Sequence, residues 1–143
     1  MKLKLRAMAT AAALLCAVAL ALLPAGSAAA ATPQCTQAVA HYPSSGAGPL
    51  WVPAAANGSR SCWMQRGNNS PAVGALQYAL RDCYGQDLVI DNDFGGLTKA
   101  ALIRVQGQVG AVPDGGYGPE TARKMQMSAT FSENWWDCSW QTF

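Results

Sequence analysis

Apolar positions recur with helical spacing in two stretches of this 143-residue chain. In the first, Val73, Leu76 and Leu80 follow the helical period, with Ala72, Ala75 and Ala79 supporting it. Ser70 can cap this segment and Pro71 suits its first helical position. Arg81 suits the last turn and Gly85 lies just beyond it. The pattern predicts a helix over 71–83. In the second, Leu97, Ala101, Leu102, Val105 and Val109 make one apolar face. They predict a helix over 96–109, weakened at its end by Gly107 and closed by Gly110, with Pro113 following. Between the two, Leu88-Val89-Ile90 is too short for a helix and leads into a turn at Asp91-Asn92-Asp93. Gly118-Pro119-Glu120 is another helix start, and Ala122, Met125 and Ala129 extend it over 119–128. The flanks show no sustained period. Residues 32–61 are rich in Pro, Gly, Ala and Ser and read as an extended arm, mobile unless Cys35 pins it, with Trp51 and Val52 as one apolar anchor. From Phe131 the tail holds Trp135, Trp136, Trp140 and Phe143.

The N-terminus changes this picture. Lys2, Lys4 and Arg6 precede an apolar run from Ala7 to Leu23, broken by Pro24 and Gly26 and followed by small residues from Ala28 to Ala31. This is the pattern of a secretory signal peptide over 1–31. The run is shorter than the ~20 residues of a membrane span, and Leu15 before Cys16 does not suit lipid attachment. Removal of the segment takes Cys16 and three cations with it. The chain has ten Lys and Arg against eight Asp and Glu, so the mature part carries a net charge of about −1 and no basic stripe for nucleic acid. No membrane association is expected after cleavage. Four cysteines remain, Cys35, Cys62, Cys83 and Cys138, an even number that in an exported chain points to two disulfides. Of three possible pairings the nested one, Cys62–Cys83 within Cys35–Cys138, is favoured here. Without any Cys-x-x-Cys, a zinc site is not expected.

Two segments read almost alike. Asp93-Phe94-Gly95-Gly96-Leu97-Thr98 is echoed about 23 residues later by Gly116-Tyr117-Gly118-Pro119-Glu120-Thr121. Each has an aromatic residue, Gly, two variable residues and Thr, each opens a helical stretch, and acidic residues precede both: Asp91 and Asp93, then Asp114. Phe94 and Tyr117 are expected to plug the core ahead of a helix. Gly95 and Gly118 would let the backbone turn beside the ring, and Thr98 and Thr121 would bond back to the loop.

These blocks carry a resemblance. Ala72-Val73-Gly74-Ala75-Leu76-Gln77-Tyr78-Ala79-Leu80, then Asp91-Asn92-Asp93-Phe94-Gly95 with Thr98, Ala101, Leu102 and Gln106, then Asp114-Gly115-Gly116-Tyr117-Gly118-Pro119-Glu120-Thr121 stand in the order and at the separations of the small peptidoglycan-binding domain of bacterial cell-wall hydrolases. The stretch from Gly67 to about Met127 resembles that family. It departs from the usual pattern at Val105, where Phe is common, at Asn92, where Gly is common, and in the third helix, where Arg123, Lys124 and Met125 replace a Trp-x-x-Leu ending. The resemblance implies a three-helix bundle with a pseudo-repeat. The expected fold is therefore all-α, a small three-helix bundle over 62–128 with an irregular arm over 32–61, a Trp-rich tail over 129–143 and two disulfides.

Candidate chemistry is sparse. His41 is the only histidine and sits in the arm, which suits neither a zinc hydrolase nor a Cys–His nucleophile. Asp91 and Asp93 read as turn and cap residues rather than as a glycosidase pair. An EF-hand from Asp91 is excluded because Leu102 occupies its twelfth position. Trp135, Trp136 and Trp140 read either as cover for the bundle and Cys138 or as flat faces for sugar rings. No enzyme, cofactor or metal is expected. The resemblance implies a secreted, monomeric, extracellular or wall-associated protein that binds the stem peptide or glycan of peptidoglycan, with Asp93, Arg104 and Tyr117 as candidate contacts. The alternative is a secreted partner or inhibitor of a wall hydrolase on the same scaffold.

Overall fold

The structure is a computed structural model and describes residues 31–44, 48–130 and 136–141. The expected signal segment, apart from Ala31, lies outside the described residues, as do Phe131, Trp135 and Phe143 of the tail. Among the described residues, one pair of strands precedes three consecutive helices and a second pair follows them. The elements are β1 (Gln37–His41), β2 (Leu50–Ala54), α1 (Pro71–Tyr84), α2 (Gly96–Val109), α3 (Pro119–Lys124), β3 (Gln126–Thr130) and β4 (Trp136–Trp140). β1 pairs antiparallel with β2, Val39 opposite Val52, and β3 with β4, Ser128 opposite Cys138.

α1 sits at the centre. Val73, Leu76 and Leu80 join Phe94, Leu102, Val105, Tyr117 and Met125 in the main core. The opposite side of the same helix is buried too: Ala79 packs with Leu50 and Val52 of β2 and with Met127 and Ala129 of β3 in a second, smaller core. An apolar helix with no polar face must be covered all round, and the sheets supply that cover. The alanines are the reason they fit closely. α2 is different. It buries only the stripe of Thr98, Ala101, Leu102, Val105 and Gln106 and leaves the rest to solvent.

The all-α expectation is therefore corrected: the fold is mixed α/β, with two antiparallel two-stranded sheets beside the helices. The segment read as an irregular arm carries β1 and β2. Leu50 and Val52 are fully buried while Trp51 between them is exposed, an alternation that ends at Val52, since Pro53 and Ala54 are buried as well. The first two helices start where expected, and α1 runs one residue further than 71–83, to Tyr84. α3 is shorter than the predicted 119–128. Met125 leaves it with φ −101° and ψ 143°, and the chain continues as β3. Met125, Met127 and Ala129 are buried, and Ser128 between the last two is buried as well. Ser70 precedes α1, but its hydroxyl makes no cap bond there.

The favoured disulfide pairing is also corrected. Cys35 bonds Cys62 and Cys83 bonds Cys138. Local hydrogen bonding brings each pair together. Cys35 N donates to Trp63 O at 2.8 Å and Trp63 N donates to Pro33 O at 2.9 Å, which lays Cys35 beside Cys62. At the other end of the molecule, Tyr84 Oη accepts from Gln126 N at 2.7 Å and Ser128 Oγ donates to Asp82 Oδ2 at 3.1 Å. Ser128 faces Cys138 across the sheet, so the end of α1 meets β4 at Cys83.

Candidate functional site

Each copy of the repeat is a loop wrapped around one buried glutamine of the preceding helix. In the first, Gln77 of α1 donates from Nε2 to Asp91 Oδ1 at 2.7 Å, to Asp93 O at 3.0 Å and to Thr98 Oγ1 at 3.2 Å. Its Oε1 accepts from Asp91 N at 3.2 Å and Asn92 N at 3.0 Å. In the second, Gln106 of α2 donates to Asp114 Oδ1 at 2.9 Å, to Gly116 O at 2.8 Å and to Thr121 Oγ1 at 3.1 Å, and accepts from Gly115 N at 2.9 Å. Both aspartates also close a tight turn two residues on, Asp91 accepting from Asp93 N at 2.9 Å and Asp114 from Gly116 N at 2.8 Å.

The correspondence reaches the backbone. Asn92 and Gly115 occupy the same place in their loops, and both are left-handed, φ 63° and 74°. Asparagine tolerates that region better than most residues, which accounts for Asn92 where glycine is usual. Gly74 of α1 makes room for it, since a Cβ there would collide with the Asn92 side chain. The segment before α1 clamps both aromatic plugs. Phe94 N donates to Asn68 O at 2.8 Å, and Tyr117 exchanges two backbone bonds with Met64 at 2.8 and 2.9 Å.

Polar rims surround these loops. Along the first, a cavity of 260 Å³ is bounded by Asp91, Asp93, Thr98 and the apolar Val89 and Leu97, the last two widely exposed. Along the second, cavities of 420 and 290 Å³ share Gln65, Asp114 and Gly116. The larger adds Arg66 and Lys99, and the smaller adds Trp63 and Tyr117. The Lys99 stem lies across the second turn, where a Cβ on Gly115 would come within 2.8 Å of it. The first rim is thus acidic with aliphatic walls, while the second sets two cations beside one carboxylate.

Both turn carboxylates are held below the ordinary range. For Asp91 the largest cause is the Gln77 amide, followed by Asp93 N–H. For Asp114 it is Gly116 N–H, with Gln106 and the nearby Lys99 adding to it. Such groups stay ionised near neutrality, the reverse of the raised pKa a glycosidase acid requires. Among the described residues no three His, Cys, Asp or Glu side chains converge as a metal site would need.

The three candidate contacts from the sequence do not come together. Asp93 is exposed on the first rim. Arg104 is exposed on α2 and donates from Nε to Gln86 Oε1 at 2.8 Å. Tyr117 is 1% exposed and its hydroxyl accepts from Gln141 Nε2 at 3.2 Å. Burial pushes its phenol up to about 12. Arg66, Lys99 and Gln65 were not singled out. They come from two separate segments, Gln65-Arg66 and Lys99, and only the folded loop gathers them.

Residues 69–125 match the family described as "Putative peptidoglycan binding domain". The matched range takes in both glutamine-centred loops and all three helices but neither hairpin. Among solved structures, a peptidoglycan-binding protein from Clostridioides difficile, in complex with glutamine hydroxamate, is 28% identical with a TM-score of 0.43. The similarity covers 50% of this chain and 42% of that one, so less than half of that protein's length is represented. No curated protein matches the chain.

Proposed function

We propose that this protein is an exported, non-catalytic module that binds bacterial peptidoglycan through the rims of its two repeated loops. The family match over 69–125 carries the reading. The rims support it. Stem peptides present carboxylates and an amino group on short aliphatic side chains. Arg66 and Lys99 on the second rim suit the carboxylates. Asp91 and Asp93, between Val89 and Leu97, suit the amine and its aliphatic neighbours. Asp93 is then a direct contact, Arg104 a flanking cation, and Tyr117 a residue that positions the second loop from below. Two disulfides accord with an oxidising, extracytoplasmic location. The turn carboxylates are locked in hydrogen bonds and ionised, which suits binding rather than proton transfer.

Sedimentation with purified sacculi tests the reading. The protein is expected in the pellet at moderate salt and to be displaced by soluble stem-peptide fragments. Protein that remains in the supernatant at every ionic strength overturns it, and release of soluble wall fragments during the assay overturns the non-catalytic part.

A further inference from the structure

The first hairpin builds a further cavity with α1, mostly from residues that play no part in the loop rims. It measures 270 Å³ and is bounded by Trp51 and Ala38 of the hairpin, by Gly74, Ala75 and Tyr78 of α1, and by Asn92. Ala38 and Trp51 precede the matched range 69–125, so the family match alone does not define this feature. Trp51 is 39% exposed between two fully buried strand neighbours. The core under the hairpin is already filled by Leu50 and Val52, so packing does not call for an indole on the outer side. Tyr78 is steadied by the Arg81 guanidinium, 5.1 Å from its ring centroid. Ala75 is small and leaves open space beside the aromatics, while the place of a side chain on Gly74 is taken by Asn92.

We infer that this cleft holds one sugar ring of the glycan strand, most simply an N-acetylated hexosamine, against Trp51 and Tyr78. This deepens the peptidoglycan reading and rests on it. None of the lining residues is charged, so the cleft suits neither the carboxylates nor the amine of a stem peptide. Flat aromatic faces match the C–H faces of a pyranose, and the Asn92 amide can serve a hydroxyl or acetamido group. Such a pairing of an apolar body with a polar handle is typical of ligand sites. The volume lies just below the ~300–1,000 Å³ of drug-sized ligands, room for a single ring. The location is consistent with the occupant. Asn92 stands between Asp91 and Asp93 of the first rim, so a glycan in the cleft would place its stem peptide toward the charged loop.

The experiment is an NMR titration of the full chain with peptide-free N-acetylglucosamine oligomers, with free stem peptide as a second arm and sacculus sedimentation run alongside. Shifts centred on the Trp51 indole, Tyr78 and Asn92 are expected with the oligomers alone. Trp51→Ala should weaken oligomer binding at least tenfold with its remaining spectrum intact, and Trp51→Phe should recover part of the loss. No shifts with oligomers, while sacculi still pellet the protein, overturn the sugar cleft and leave peptide binding standing. Shifts at the cleft from stem peptide instead of oligomer overturn the assigned ligand class, and oligomer binding indifferent to Trp51→Ala overturns the location. Loss of both oligomer and sacculus binding in the wild type overturns the peptidoglycan reading and this inference with it.

Discussion

Gln106 holds the second loop through one side-chain amide, and removal exposes how the loop is stabilised. Gly115 is buried, so in Gln106→Ala its N–H loses its acceptor with little access to water. An unsatisfied buried donor costs about 1–3 kcal/mol, and the vacated volume adds to it. Gln77→Ala is expected to cost less, because Asp91 and Asn92 are exposed and water can replace the amide. Urea unfolding with an unchanged slope should show Gln106→Ala the weaker of the two. A pH dependence belongs to the same loops. The folded pKa of Asp114 lies below its unfolded value, because Gly116 N–H and then Gln106 stabilise the ionised form. Its contribution is therefore present above the unfolded value, near 3.9, and is lost as pH falls through the folded one. Unfolding midpoints followed downward from pH 5 should decline, and Asp114→Ala should flatten that decline. The repeat itself was legible in the sequence, down to the role of Phe94, Tyr117 and both threonines. The glutamines at its centre were not. They follow Leu76 and Val105 as ordinary helix positions, and their partners lie 8 to 21 residues away, a separation that local pattern does not encode.

α1 shows why helices were read well and strands were not. Its boundaries follow from Pro71 and Gly85, where Gly85 N and Gln86 N donate to Arg81 O and Leu80 O at the left-handed end. Its surroundings were present in the sequence in another form. Ala72, Gly74, Ala75 and Ala79 leave no polar face on the first three turns, which requires a second covering layer. The strands that supply it are five residues each and lack the Asn-Gly or Asp-Gly turn that marks a hairpin locally. In β3, Ala122, Met125 and Ala129 fit a helical spacing while Met125, Met127 and Ala129 fit a strand, so periodicity alone cannot choose. Pairing with β4 and the Cys83–Cys138 bond do so. The close fit of sheets on α1 is testable. Ala79→Leu is expected to cost about 1–3 kcal/mol by overpacking, since it faces Leu50, Val52 and Met127. Ala100→Leu on the exposed side of α2 should leave stability within about 0.5 kcal/mol. Equal effects from the two would mean that the hairpin does not bear on α1.

At the scale of the molecule, two sequential disulfides fasten the flanks to the loop-bearing centre, with separations of 27 and 55 residues. The centre can therefore present two loops of one design with opposite charge. Asp91 and Asp93 mark the first rim, and Arg66 and Lys99 mark the second. Among the described residues, Arg81–Asp82 and Lys124–Glu120 pair within 4.0 Å, whereas no described residue pairs so with Arg66 or Lys99. Both cations thus remain available to an anionic ligand, and Lys99 adds the packing of its stem on Gly115. Glutamine is the suitable replacement, because it keeps much of each stem and removes the charge. Exposed charge pairs are worth about 0.2–1 kcal/mol each, so Arg66→Gln with Lys99→Gln should weaken sacculus binding roughly two- to thirtyfold. The salt dependence of binding should also flatten, because fewer screened contacts remain. Arg123→Gln, exposed on α3, removes a charge elsewhere and should change neither affinity nor salt slope. If the double variant binds as the wild type does, the stem peptide does not dock on the second rim, and the acidic first rim with Asp93 must carry the contact. Asp93→Asn would then show the loss that Arg66 and Lys99 did not.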